Sequence, residues 1–171
     1  MKRIIVLFLS ILFVSCSSLQ MKKDENKEEI IYKTLYQNWQ LDQLRTKIDL
    51  DSAKYGKNPT IIYYEKALLE RLNDKKELFN LLNKIKTEFK SNEIITLDKA
   101  LDMPLKGRFI KEELKNIDLS KLTINYTKPQ FQRDKASNII AFRYAEEIMY
   151  FQVQYKLINN SWKIINFQER R

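Results

Sequence analysis

Cys16 is the only cysteine of this 171-residue chain and histidine is absent, so little remains that could act as a nucleophile, a general base near neutrality or a soft-metal ligand. Without imidazole the chain lacks the side chain whose ordinary pKa suits proton transfer near pH 7, and also the commonest zinc ligand. Ser–His–Asp and Cys–His arrangements are therefore impossible. Gly56 and Gly107 are the only glycines and stand far apart, which removes the glycine-rich phosphate loops. The remaining candidates for acid–base or hard-metal chemistry are the adjacent acids Glu112-Glu113 and Glu146-Glu147. Neighbours on a strand point to opposite faces, so Glu146 and Glu147 converge only at a turn or bulge, and they read as the turn between two strands. The sequence assigns no catalytic residue, no metal ligand and no cofactor. An enzyme would need two other acids meeting in a cleft.

Cys16 itself has a telling context. Met1-Lys2-Arg3, an almost unbroken apolar run from Ile4 to Val14 and the small Ser15 form the basic, apolar and cleavage regions of a secretory signal. About eleven residues at ~1.5 Å rise reach roughly 16 Å, short of the ~30 Å hydrocarbon core, so a permanent membrane-spanning helix is not expected. The segment Phe13-Val14-Ser15-Cys16 resembles a bacterial lipobox, departing from it only in Phe13, where Leu is commonest. The resemblance implies a bacterial lipoprotein cut between Ser15 and Cys16, with acyl chains on Cys16. A lone thiol in an oxidising compartment would otherwise be a liability. Each buried methylene of such an anchor contributes ~0.8 kcal/mol, so two or more chains hold it at the membrane. Ser17 replaces the Asp of inner-membrane retention, which directs the expectation to the outer membrane or cell surface. Residues 1–15 read as signal and 16–27 as lipidated N-terminus and tether, ahead of one domain at 28–171.

The chain carries 31 Lys+Arg against 22 Asp+Glu, formally +9. Its basic residues are interleaved with acids, as from Asp24 to Glu29, and an exported lipoprotein rarely meets nucleic acid; no nucleic-acid partner is expected. The positive balance adds a weak attraction to anionic headgroups, up to ~1 kcal/mol per residue near the surface.

Ile31, Leu35, Trp39, Leu44 and Ile48 recur at helical spacing and predict one amphipathic helix of about twenty residues. Asn58-Pro59 marks a cap and first turn for a second helix. Asp74-Lys75-Lys76-Glu77 has capping-box spacing and predicts a third helix, starting there. A short helix around Phe109 to Leu114 closes the helical part near 117. From 121 to 169 the period changes to two. Leu122, Ile124 and Tyr126 form a strand that Pro129 confines to an edge or a bulge. Ile139 to Tyr144 form the next. Met149, Phe151, Val153, Tyr155 and Leu157 then share one face of the clearest strand, and Asn159-Asn160 turns the chain into a last strand through Trp162, Ile164 and Phe167. The fold class is α+β: N-terminal helices packed on a C-terminal antiparallel sheet of about four strands.

The final hairpin, Tyr155 to Ile164 with its Trp162-Lys163-Ile164, resembles exported domains of the nuclear transport factor two-like and cystatin-like groups. That resemblance implies a curved sheet around a helix pair, with a cone-shaped pocket that serves ligands or protein contacts; no catalytic residue carries over. Among the aromatics, Tyr32, Tyr36, Tyr144, Tyr150 and Trp162 are the candidates for a pocket or a partner surface, while the Met149–Leu157 face is expected to be ordinary core. The functional expectation is a lipid-anchored, non-enzymatic envelope protein that binds a protein or envelope component. The alternative is a carrier holding a small apolar ligand between sheet and helices.

Overall fold

The computed structural model describes residues 27–170; Ser15, Cys16 and the expected signal and tether lie outside them. Packing divides the chain into two compact units between Leu68 and Leu69.

In the first unit, α1 (helical over residues 27–37) is followed by α2 (Leu41–Tyr55) and by the start of α3 (Pro59–Lys90). The single helix expected across 31–48 is thus two. Trp39 takes a left-handed φ of 56°, Gln40 N–H donates to Leu35 C=O and Trp39 N–H to Tyr36 C=O. This is a Schellman ending with Trp at the position that glycine ordinarily fills, so no glycine announces it. Gly56, at φ 71°, ends α2, and Asn58 Oδ1 accepts the Ile61 amide at 2.9 Å as the N-cap of α3. Tyr32 stacks on Tyr64 at 4.9 Å, with Leu41, Leu44, Ile48 and Ile61 also buried.

α3 continues without a break through Asp74, so no third helix starts there. The capping-box spacing is overridden because the apolar stripe Leu78, Leu82, Ile85 and Phe89 is buried along one uninterrupted helix. The helix ends at a second Schellman pair, Asn92 N–H to Phe89 C=O and Glu93 N–H to Glu88 C=O, with Asn92 at φ 58°. Glu88 takes the Thr96 amide at 2.6 Å and also its hydroxyl, fixing the start of α4 (Ile95–Ala100). Pro104 opens α5 (Pro104–Lys115), and a 3-10 turn at Leu119–Lys121 leads into the sheet.

The sheet is antiparallel with five strands, one more than expected: β1 (Thr123–Tyr126), β2 (Gln130–Gln132), β3 (Lys135–Tyr144), β4 (Glu147–Ile158) and β5 (Ser161–Arg170), ordered β1-β3-β4-β5. β1 and the short β2 share one edge of β3. Between them Pro129 interrupts pairing, and Thr127 Oγ1 takes over by accepting the Ile139 amide at 3.0 Å. The β3–β4 turn sets Tyr144 opposite Glu147, which places Ala145-Glu146 at its tip; of the paired acids only Glu146 lies in the turn, and Glu147 opens β4. Asn159 and Asn160 carry φ 48° and 59° in the last hairpin, as expected of a tight turn. The outer edge of β5 is partly covered: Asp102 N–H donates to Ile164 C=O at 2.9 Å and Lys163 Nζ to Lys99 C=O at 2.8 Å. Trp162 Nε1 donates to the Asp74 carbonyl at 2.7 Å, tying β5 to α3 within the second unit.

Candidate functional site: an apolar cavity between sheet and helices

The regular period of four elements brings one apolar face from each to a common space in the second unit. On α3, Leu82, Ile85 and Phe89 fall on one stripe; along residues 106–117, Phe109, Ile110, Leu114 and Ile117 do the same. Ile140 and Phe142 of β3 and Met149, Phe151, Val153 and Tyr155 of β4 project from the facing side of the sheet. These faces line a partly open cavity of about 650 Å³, within the ~300–1,000 Å³ usual for small-molecule sites. Within the Met149–Leu157 face, Val153 and Tyr155 are fully buried, as expected of core, whereas Met149 and Phe151 retain exposed surface beside the cavity.

A reason for the void lies in α5. Its only fully buried residue is Gly107, so the helix brings no large side chain into contact all round, and Leu105 and Phe109 are 76% and 73% exposed. At one end the wall is an aromatic cluster: Phe151 stacks on Phe167 at 4.6 Å, and Phe142 meets Phe151 at 5.5 Å and Phe89 at 6.4 Å.

The polar groups of the wall fall into two classes. Tyr155 is fully buried and donates to Asn138 Oδ1 at 2.9 Å, and burial pushes its phenol far above the ordinary tyrosine value, so it remains a neutral donor already engaged. Tyr126 likewise donates to Asn83 Oδ1 at 2.6 Å. Lys106, Glu113, Gln168 and Glu169 are all exposed and stand at the rim. The interior offers hydrocarbon; charge is confined to the edge.

The aromatic candidates are not brought together. Trp162 is buried against Phe131 and bonded to Asp74, outside the cavity wall. Tyr144 and Tyr150 lie near the tip of the β3–β4 hairpin, 38% and 48% exposed, with Ile148 and Met149 beside them at 40% and 38%. Tyr32 is 1% exposed in the first unit, so of the two roles expected for it the partner surface is not available, and it lines a small cleft; Tyr36 is half-buried and meets the Tyr64 ring at an angle. A buried tyrosine off the main stripe needs a polar partner, and Tyr32 finds Asp51, donating to Oδ2 at 2.7 Å. Lys47 completes the set at 2.7 Å from the same oxygen. Burial, then the bond to Asp51, lifts the Tyr32 phenol well above its usual value. These groups edge a smaller polar cleft with Glu28, Glu29 and Asn58, but the Asp51 carboxylate is already engaged.

Among the described residues no group of three or more His, Cys, Asp or Glu could hold a metal ion, and no helix is long and apolar enough to cross a membrane. The sequence reading missed the helical side of the cavity, Ile85, Phe89, Ile110 and Leu114. Its signal was present in the 106/109/110/113/114/117 spacing, which marks a continuous face on α5 and just beyond.

No protein-family model matches the chain, and comparisons with curated proteins and with solved structures likewise find no match.

Proposed function

We propose that this protein is a lipid-anchored envelope protein whose C-terminal unit binds an apolar small molecule. The observation that carries the reading is the 650 Å³ cavity walled by hydrocarbon, with its one inner tyrosine hydroxyl, that of Tyr155, already bonded to Asn138. An apolar ligand placed against such a wall gains dispersion contacts and removes hydrocarbon surface from water. Attachment through Cys16 follows from the signal-like N-terminus and supports the reading by holding such a site beside a source of apolar molecules. The likeness of the last hairpin to pocket-forming nuclear transport factor two-like domains supports it as well.

Two measurements test it. Titration with a naphthalene sulfonate dye should give saturable fluorescence that Ile110→Trp, which fills the cavity from its α5 wall, diminishes; equal signal from both proteins refutes the site. Metabolic labelling with a palmitate analogue should depend on Cys16, and Cys16→Ala should release the protein from membranes; labelling that persists refutes the anchor.

A second reading, contact with another protein, is favoured by one specific feature. Tyr144, Ile148, Met149 and Tyr150 expose a cluster of large apolar side chains at one hairpin tip. Tyr150→Ser with Ile148→Ser should abolish crosslinking to a specific envelope protein without altering dye binding.

A further inference from the structure

We infer that the buried part of the ligand is a single unbranched acyl chain, with its head group left outside among Lys106, Glu113 and Gln168. The inference rests on the reading of the cavity as a ligand site and names what fills it. Three observations converge on a chain.

The first is chemical. The phenols of Tyr155 and Tyr126 are committed to Asn138 and Asn83, and the backbone of the β3–β4 floor is spent in ladder pairing. A peptide or a hydroxylated ligand would bring N–H, C=O or O–H groups into a space with no partner for them, which makes burial unfavourable. Only hydrocarbon enters without loss.

The second is the extent of the wall. Its apolar lining runs along α5 from Phe109 to Leu114 and continues across to Met149 and Phe151 of β4 and Phe167 of β5. A hydrocarbon face continued over several elements can lie along an extended chain.

The third is the distribution of polar groups. Lys106, Glu113, Gln168 and Glu169 are the exposed polar members of the wall, so a molecule that fills the cavity must turn polar where it leaves it. Both signs of charge are present there, and the chain, not the head, supplies the recognition.

Displacement of the naphthalene dye from the purified full-length protein, stripped of bound lipid, is the test. The competitors are lauroyl, myristoyl, palmitoyl and stearoyl chains, each as the free fatty acid and as the lysophosphatidylcholine, with cholesterol as a rigid polycycle of similar length. Affinity should rise about fourfold per added methylene until the cavity is full and then level off. Ile110→Trp should weaken the longest chains by about tenfold or more and move the plateau to a shorter chain, while Leu69→Trp, at an exposed position off the wall, leaves both unchanged. The free-acid and lysolipid arms separate the two sources of the same chain, and displacement by either with this length dependence supports the inference. Displacement by cholesterol with none by the acyl chains overturns the inference and leaves the cavity a ligand site. Failure of the dye to bind at all, or binding that Ile110→Trp does not alter, overturns both.

Discussion

Tyr155 gives its phenolic proton to Asn138 Oδ1 at 2.9 Å along a diagonal of the β3–β4 ladder, Val153 standing opposite Asn138 and Ala136 opposite Tyr155. Asn138 passes the interaction on, its Nδ2 donating to the Thr127 carbonyl at 3.3 Å where Pro129 has interrupted the edge. The pair turns the one inner hydroxyl of the cavity floor away from any ligand and fixes the irregular joint between β1 and β2.

Removing half of this pair should cost stability without costing apolar binding. Tyr155→Phe strands the buried Asn138 oxygen, an expected loss of ~1–3 kcal/mol in urea unfolding. Dye affinity should stay within about twofold, because the cavity surface gains no polar atom. A Tyr155→Phe protein of unchanged stability, or one that has lost the dye, contradicts this account of the floor.

Tyr32 and Tyr126 provide a matched comparison in the two units. Tyr32, 1% exposed, donates to the buried Asp51 carboxylate, which Lys47 also contacts. Tyr126 donates at a solvent-exposed site to Asn83. Bonds to charged acceptors are the stronger class, and burial makes an unmet acceptor costly, so Tyr32→Phe should lose ~1.5–3 kcal/mol and Tyr126→Phe only ~0.5–1 kcal/mol. Equal losses in parallel urea titrations would show that Asp51 is solvated in solution.

Much of this architecture was legible in the residues, and the misses share a cause. Asn58-Pro59, Asn159-Asn160 and the Met149–Leu157 alternation announce themselves because local backbone chemistry settles them. Asp74 misled because a capping pattern is local, whereas the buried stripe of Leu78, Leu82, Ile85 and Phe89 carries α3 straight through it. Trp39 hid a helix end, since its left-handed backbone is held by two carbonyls and not by a residue type that favours it. The cavity was half-visible. Periodicity shows which faces of β4 and α5 are apolar but not how far apart they stand, and that distance separates core from pocket.

Asp74 and Asp118 should bend the pH dependence of stability in opposite directions. Burial raises the Asp74 carboxyl above its usual value, outweighing the opposing pull of Arg71. Its contribution is therefore present below the ordinary aspartate range, ~3.9, and is lost as pH rises through the raised folded value. The Ser120 hydroxyl, 2.6 Å from the Asp118 carboxylate, leads the causes that depress Asp118. That contribution is present above ~3.9 and is lost as pH falls through the lowered folded value. In thermal melts by circular dichroism, Asp74→Asn should gain on the unaltered protein as pH rises above about 4 through the raised folded value, and Asp118→Asn should lose ground as pH rises to about 4 and then hold a constant deficit. Curves parallel to that of the unaltered protein would remove either aspartate from the account.

Gly107 packs α5 against Leu101, a residue of the cavity wall. It is the one buried residue of that helix, and a Cβ built there would sit 3.6 Å from Leu101 Cβ and 3.8 Å from Leu101 Cδ1, ordinary van der Waals contact. Its φ lies outside the left-handed region, so the backbone does not require glycine. Gly107→Ala should stabilise α5 by ~0.5–1 kcal/mol through helix propensity alone, with a small further gain from the Leu101 contact. The consequence for ligand binding is specific. A stiffer helix holds the Ile110 and Leu114 wall in place, so the dye should enter and leave more slowly at nearly unchanged affinity. Stopped-flow fluorescence reads both rates, and a large fall in affinity without a change in rate would mean that the added methyl displaces the wall instead of bracing it.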